Sequence, residues 1–195
     1  PAYDRVHLSE YFESQSEDKL LMAPRSWYDE HDIILKTSQL ITNIDRSHKT
    51  ITTHTGESES YDHLVLATGS SAMVPPIKGV DKKGVFVYRT IEDLDQIISY
   101  AKNAKSGAVL GGGLLGLEAA KALMDLNLET KVIEFAPKLM PRQLDDAGSN
   151  MLKSKIESLG IEILLNKNTK EIHGNGKLDQ LEFTDGTSLE TDMLV

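Results

Sequence analysis

The sequence predicts an α/β domain with a parallel sheet, and three observations in residues 108–135 carry this prediction. A short apolar run at 108–110 has the composition of a buried strand. A glycine-rich stretch at 111–116 follows it and opens a segment whose apolar residues recur at helical spacing. A second run, rich in β-branched residues at 130–135, completes a β-α-β unit.

The glycine-rich stretch has the pattern G-x-G-x-x-G and lies between the predicted strand and helix. In such a loop Gly111 permits a tight turn, Gly113 lets the backbone approach a pyrophosphate, and Gly116 lets the helix pack close to the strand. The helix start offers unpaired N–H groups and a partial positive charge. We therefore expect the backbone of these glycines, with that of Leu114 and Leu115, to hold a pyrophosphate.

An acidic residue stands where this kind of loop needs one. Glu134 ends the second predicted strand, about twenty residues after the glycines, where dinucleotide-binding folds place the acid that holds a ribose. The combination predicts a Rossmann-like domain that binds a dinucleotide. The alternative is a glycine-rich turn in an ordinary β-α-β unit.

The remaining elements are predicted from local patterns, with a stiff proline-containing connection at 74–79 as a domain boundary. Short helices precede residue 30. The elements that follow are strands at 33–35, 39–44 and 50–55, a turn at 56–60, a fully buried strand at 64–67 that ends in a tight tip at 68–70, a short strand at 85–88, a helix from the N-cap Thr90 to about 104, a helix at 144–159, a strand at 161–165 parallel to the earlier two, a hairpin of 171–173 with 178–183, and a buried strand from Met193.

Composition excludes several classes of function. The chain has 195 residues, a net charge of −9 and no cysteine. The acidic balance argues against nucleic acid or an anionic membrane as partner. Without cysteine the chain holds no disulfide, thiolate nucleophile or iron–sulfur cluster, which is compatible with a cytoplasmic location. Its six histidines are scattered without metal-ligand spacing, so we expect no metal site.

Several motifs together resemble the FAD- and NAD(P)-dependent pyridine nucleotide-disulfide oxidoreductase superfamily. YDHLVLATGS is similar to its second flavin motif, and GGGLLGLE to its NAD motif with the usual acid, Glu118. Within the superfamily, YDRVHLSEYF, VYRTIEDLD and VIEFAPKLMPRQLDD most resemble the N-terminal module of NADH-dependent nitrite reductase large subunits. The resemblance covers nearly the whole chain.

The resemblance implies a flavin domain interrupted by an inserted NAD domain. On this view residues 1–78 are part of the FAD-binding domain, and 79–106 are the strand and helix that connect it to the next domain. Residues 107–195 form the NAD-binding domain and the start of the chain's return to the FAD-binding domain. Glu118 would lie near the nicotinamide. The family's flavin contacts would fall on Arg5, Ser9, Ile41, Thr68, Gly69 and Arg89. Ferredoxin reductases commonly have a lysine after the serine, whereas this chain has Glu10.

The activity that the resemblance implies is electron transfer from NADH through FAD to a further redox centre or small subunit, in nitrite reduction. The redox-active cysteines of related enzymes are absent, so electrons would leave the flavin for a centre other than a thiol. The chain would be an internal fragment that has lost FAD, with sirohaem and an iron–sulfur cluster only in missing regions. The alternatives are an NADH–rubredoxin or ferredoxin reductase and a non-catalytic dinucleotide-binding redox sensor.

Overall fold

The computed structural model describes residues 2–195. Two compact units emerge from the contacts within the chain, one of residues 2–4 and 21–71 and the other of residues 5–20 and 72–195. The helices are α1 (Tyr11–Ser14), α2 (Arg25–Glu30), α3 (Ile91–Ala101), α4 (Leu114–Asp125) and α5 (Asp146–Ser158). The strands are β1 (Ile41–Asp45), β2 (Thr50–Thr53), β3 (Ser58–Ser60), β4 (Ser106–Leu110), β5 (Glu129–Ile133), β6 (Glu162–Leu164), β7 (Thr169–His173), β8 (Gln180–Phe183), β9 (Ser188–Glu190) and β10 (Met193–Leu194). Among these residues no helix is both long and apolar enough to cross a bilayer.

The smaller unit contains an antiparallel meander in the order β1-β2-β3, joined to helix α2 by irregular chain. Three expectations for this unit are wrong. Residues 33–35 form no strand, and 58–60, which were expected to belong to a turn, form strand β3. Residues 64–67 also form no strand, and Val65 and Leu66 are 85% and 66% exposed. A buried parallel strand needs neighbours on its hydrogen-bonding edges, and no described residue pairs with this segment.

The larger unit is built on a four-stranded parallel sheet in the order β10-β4-β5-β6. Helix α4 crosses from β4 to β5 and packs on both strands through its buried residues Ala119, Ala120 and Leu123. Asn127, beyond the end of α4, has a left-handed φ of 64°, as is common where a helix ends. A second meander, β7-β8-β9, follows β6. The predicted α/β architecture with a parallel sheet is confirmed, and the β-meander extends the predicted hairpin of β7 and β8 by strand β9.

One part of the core of this unit lies between the parallel sheet and the second meander. Its cluster of buried apolar side chains comprises Ala108, Ile133, Ile172, Leu178, Leu181, Phe183 and Leu194. Within the larger unit, the strand predicted at 85–88 is wrong: these residues form no strand, and Val85 makes a single parallel bridge to Leu194. Helix α3 begins at the predicted N-cap, where Thr90 and Asp93 bond reciprocally to each other's backbone N–H.

Candidate functional site: a dinucleotide-binding edge of the parallel sheet

The glycine loop leaves the end of β4 in a conformation that needs glycine at two positions. Gly111 has φ 128°, and its N–H donates to the carbonyl of Ile133 in β5 at 2.8 Å. A Cβ at Gly116 would lie 2.0 Å from the carbonyl oxygen of Gly111, so any side chain there would collide with the backbone of the turn. The first turn of α4 is therefore packed directly against the loop.

The N-terminus of α4 is open. Gly113 is its N-cap residue, with φ −87° and ψ −178°, and no side chain caps the helix. A Cβ at Gly113 would meet nothing within 4 Å, so empty space lies directly beside this backbone. The first N–H groups of a helix have no partner within the helix and attract an anion. Such a cradle, which any side chain at position 113 would fill, fits a pyrophosphate.

Glu134 follows β5 and is 5% exposed. One carboxylate oxygen accepts the N–H of Gly112 at 2.6 Å, and the other accepts the N–H of Ala136 at 2.7 Å. A Cβ at Gly112 would lie 3.0 Å from the carboxylate and 2.5 Å from Leu139, so this second glycine is also fixed by crowding. The carboxylate thus organises the glycine loop. Each carboxylate oxygen has a second lone pair, so the two bonds leave acceptor capacity for ribose hydroxyls.

Two of the three basic side chains nearest to Glu134 in the sequence are already engaged. Lys131 is bonded to Glu162 at 2.8 Å, and Lys138 to Asp146 at 2.7 Å. The bond to Glu162 raises the pKa of Lys131 above its ordinary value, and the bond from Lys138 lowers that of Asp146. Arg142 is exposed. The strand end itself therefore carries a negative charge and no adjacent lysine that lacks a partner.

Three segments of the larger unit meet around Tyr88, which sequence reasoning treated only as the end of a strand. The ring stacks on Phe12, with centroids 6.0 Å apart and planes 10° from parallel. The hydroxyl oxygen is fully buried and forms no hydrogen bond with any residue in 2–195. Burial raises the pKa of Tyr88 to about 12, and the nearby carboxylate of Glu118 adds to this shift. The nearby hydroxyl of Ser9 acts in the opposite direction and lowers the pKa of Tyr88. The hydroxyls of Ser9 and Tyr88 are nevertheless not in hydrogen-bond geometry.

The positions expected to contact flavin are divided between the two units. Arg5, Ser9 and Arg89 belong to the larger unit, with Ser9 and Arg89 partly exposed. Ile41, Thr68 and Gly69 belong to the smaller unit and are exposed. Gly69 has φ 67°, as a tight tip requires. Within the larger unit, Ser9 and Glu118 both lie near Tyr88, the residue before Arg89.

One set of residues in the described chain brings metal-ligating atoms together, although the sequence spacing did not indicate it. Glu171, His173 and Glu182 lie on β7 and β8 with ligand atoms within 4.8 Å of one another. Lysines already engage both carboxylates, Lys78 on Glu171 at 2.7 Å and Lys170 on Glu182 at 2.5 Å. These bonds lower the pKa of each glutamate. The group is an ion-pair network on the meander.

The loop, the open helix start and the buried acid at the next strand end define a dinucleotide-binding protein of the Rossmann type. Residues 2–195 match the family model described as pyridine nucleotide-disulphide oxidoreductase, and the chain belongs to this family.

The chain is similar to the large subunits of two nitrite reductases. It is 50% identical over 194 residues to the nitrite reductase [NAD(P)H] large subunit of Klebsiella oxytoca, with 100% of this chain and 20% of that protein covered. It is 48% identical over 196 residues to the nitrite reductase (NADH) large subunit of Escherichia coli, with 100% and 23% covered. The chain therefore spans about a fifth of the length of these relatives.

A solved structure has the same fold. The ferredoxin reductase for the CYP199A2 system from Rhodopseudomonas palustris superposes with a TM-score of 0.92 at 26% sequence identity. The match covers 99% of this chain and 48% of that one.

Proposed function

We propose that this chain binds NADH and contributes to an FAD site in an NADH-dependent oxidoreductase of nitrite reduction. The observation that carries the proposal is the open N-terminus of α4 beside Gly113, with the buried carboxylate of Glu134 at the end of β5. Similarity to nitrite reductase large subunits over the whole chain supports the choice of reaction. The enzyme would act in the cytoplasm, in keeping with the absence of cysteine.

The residues of the larger unit take the following parts in the proposal. The backbone N–H groups at the start of α4 hold the pyrophosphate, and Gly113 lets it approach. Glu134 keeps the loop in shape and accepts the adenosine ribose hydroxyls. Glu118 stands on the nicotinamide side. The proposed domain bounds are 1–78 for the partial FAD-binding domain, 79–106 for the connection and 107–195 for the NAD-binding domain and its return.

The flavin part of the proposal rests on Arg5, Ser9, Ile41, Thr68, Gly69 and Arg89. When bound, the two cofactors would supply the redox chemistry, with the nicotinamide as hydride donor and the flavin as acceptor. The chain supplies position and charge. Because it contains no cysteine, the electrons pass to a redox centre other than a thiol of this chain, such as a downstream centre or a small subunit.

The choice of NADH over NADPH tests the role of Glu134. NADPH would place a phosphate with nearly two negative charges where the carboxylate stands, and like charges brought together cost several kcal/mol. About 3 kcal/mol corresponds to a preference on the order of a hundredfold. The measurement is a titration of the protein with both nucleotides, in the wild type and in Glu134→Ala, below the melting temperature of the variant. Equal affinities in the wild type, or an unchanged ratio in the variant, would show that Glu134 is not the selector.

A second candidate is an NADH-dependent ferredoxin or rubredoxin reductase, favoured by the similarity to a ferredoxin reductase structure. The electron acceptor separates the two. In a complete, FAD-loaded protein, NADH should bleach the flavin absorbance in a stopped-flow experiment, and turnover should then require nitrite for the first candidate or a ferredoxin or rubredoxin for the second. Binding of NADH without any flavin reduction would instead indicate a sensor.

A further inference from the structure

Phe135 is a large apolar side chain left in solvent beside the proposed dinucleotide site. It is 76% exposed, while Glu134 before it and Ala136 after it are 5% and 8% exposed. Aromatic side chains contribute much of the apolar area that a fold or a binding site buries. An exposed ring between two buried neighbours must point away from the core, because the neighbours take the inward directions.

The backbone beneath this ring is fixed on both sides. Glu134 donates its N–H to the carbonyl of Leu164 at 2.8 Å, and its own carbonyl accepts from Lys167 at 3.0 Å. Ala136 donates to the carboxylate of Glu134 at 2.7 Å and accepts from Asn166 at 3.1 Å. A ring with two side-chain torsions on such a fixed backbone loses little conformational entropy when a ligand covers it.

The ring of Phe135 lies where the adenosine end of a bound dinucleotide is expected. Phe135 lies just beyond the carboxyl end of β5, beside the chain that leaves β6 at Leu164, and ligands of parallel sheets bind outside these strand ends. The preceding residue is Glu134, the proposed acceptor of the ribose hydroxyls. The base is attached to that same ribose, so it must lie within reach of the next residue along the chain.

We propose that the ring of Phe135 is the stacking surface for the adenine of NADH. The inference rests on the proposed function, since it needs the ribose at Glu134. The ring offers an uncharged π face to a planar base, and such stacking is tolerant of the exact base because every base has a π face. Phe135 is thus a binding residue for the half of the nucleotide that takes no part in the chemistry.

The test distinguishes contacts with the adenosine half of NADH from contacts with the nicotinamide half. Phe135→Ala and the wild type are titrated, by calorimetry, with NADH and with reduced nicotinamide mononucleotide, which lacks the adenosine half. Stacking predicts that the dissociation constant for NADH rises about 5- to 100-fold in Phe135→Ala. The constant for the mononucleotide should stay the same, and Phe135→Tyr should restore the affinity for NADH. Met151→Ala, in α5 and also at a position 76% exposed, is the matched control and should change neither constant.

Two results would overturn the stacking while leaving NADH binding in place. One is an unchanged affinity for NADH in folded Phe135→Ala, which would assign the exposed ring to contact with another protein surface. The other is an equal loss of affinity for NADH and for the mononucleotide, which would mean that the ring supports the whole site. A wild type that binds neither NADH nor AMP would overturn the proposed function together with this inference.

Discussion

The carboxylate of Glu134 and the backbone N–H of Gly112 are joined by a buried hydrogen bond of 2.6 Å across 22 residues of sequence. The same side chain accepts a second N–H, that of Ala136. Bonds from N–H groups to a charged acceptor are the stronger class of hydrogen bond. Glu134 is therefore a structural part of the glycine loop, whatever it also binds.

Glu134→Ala should destabilise the protein even in the absence of nucleotide. The substitution removes two charge-assisted bonds and leaves two N–H groups with no acceptor, which costs about 2–5 kcal/mol. For a chain of this size the melting temperature should fall by roughly 5–15 °C. Glu129→Ala is the control, because its exposed carboxylate lies 3.4 Å from Lys131 and contributes little. A loss no larger than in the control would show that water satisfies the freed N–H groups.

Gly113→Val should weaken NADH binding and leave the fold intact. The position has a negative φ and open space around a Cβ, so the free protein accommodates the side chain. The branched side chain then occupies the place proposed for the pyrophosphate, and affinity should fall at least about tenfold, or about 1.4 kcal/mol. The measurements are a melting curve and an NADH titration of the same sample.

The contrasting variant is Gly116→Ala. Its Cβ would lie 2.0 Å from the carbonyl oxygen of Gly111, so the helix start or the loop must shift and the melting temperature should fall. A lower melting temperature for Gly113→Val, together with an unchanged one for Gly116→Ala, would show that position 113 is the crowded one and position 116 the open one. Unchanged NADH affinity in folded Gly113→Val would refute the pyrophosphate site.

Features that depend on neighbours in sequence were predicted well. The β-α-β unit follows from the periodicity of its apolar residues, and the N-cap Thr90 follows from capping chemistry within the first turn of α3. The strand expected at 64–67 failed because strand formation depends on a partner elsewhere in the chain. An apolar run gives the propensity for a strand but not the partner.

The placement of the candidate-site residues was likewise predicted where it depends on local sequence. The glycines and Glu134 were singled out by their spacing, and the open helix start could be inferred from it. Two bonds of Glu134 could not be read from the sequence, because they depend on how the loop folds back. The approach of Ser9, Glu118 and Tyr88 joins three distant segments, and no local pattern marks it. The exposure of Phe135 equally depends on packing, which the run of apolar residues around it concealed.

Tyr88→Phe should leave the unfolding free energy of the nucleotide-free protein within about 1 kcal/mol of wild type, or raise it. The hydroxyl has no hydrogen-bond partner in the described chain, and removal of an unpaired buried polar group is not costly. Tyr11→Phe is the matched control, because Tyr11 donates a hydrogen bond of 2.8 Å to Asp95 and should be more sensitive. Equal destabilisation in the two variants would mean that water or a bound group satisfies Tyr88.

Alkaline pH gives an independent test of Tyr88. Its pKa is raised to about 12, mainly by burial, so the folded protein keeps the phenol neutral where the unfolded chain ionises near pH 10. Stability that is fully present below about pH 10 should therefore decline up to about pH 12. In Tyr88→Phe the stability should decline less between these two pH values, because the phenol is absent. Denaturant melts across this range, with ultraviolet titration of the phenolates, make the comparison.

Low pH should weaken the hydrogen bonds that the carboxylate of Asp192 accepts. Asp192 accepts the N–H of Lys105 at 2.8 Å and both the N–H and the hydroxyl of Ser106, at 3.0 Å and 3.2 Å. These bonds, that of Lys105 first, lower the pKa of Asp192 below its ordinary value. The stabilisation is present above that ordinary value and is lost as the pH falls through the folded pKa. Asp192→Asn should be less stable than wild type near neutral pH, with the difference shrinking towards about pH 2.

The control for this experiment is Asp179→Asn, because Asp179 is exposed in the segment that precedes β8. Its difference from wild type should be small at every pH. A difference for Asp192→Asn that is independent of pH would show that the amide replaces the carboxylate in all three bonds, and that charge plays no part there.

The contact between Gly116 and the Gly111 carbonyl has a consequence for the kinetics of nucleotide capture. The start of α4 and the glycine loop are in direct backbone contact, and Glu134 holds the loop by its hydrogen bond from the N–H of Gly112. The proposed nucleotide site is therefore held in one shape in the free protein, and binding should require no slow rearrangement. In rapid-mixing experiments the observed association rate should rise in proportion to NADH concentration, without the plateau that an isomerisation step imposes.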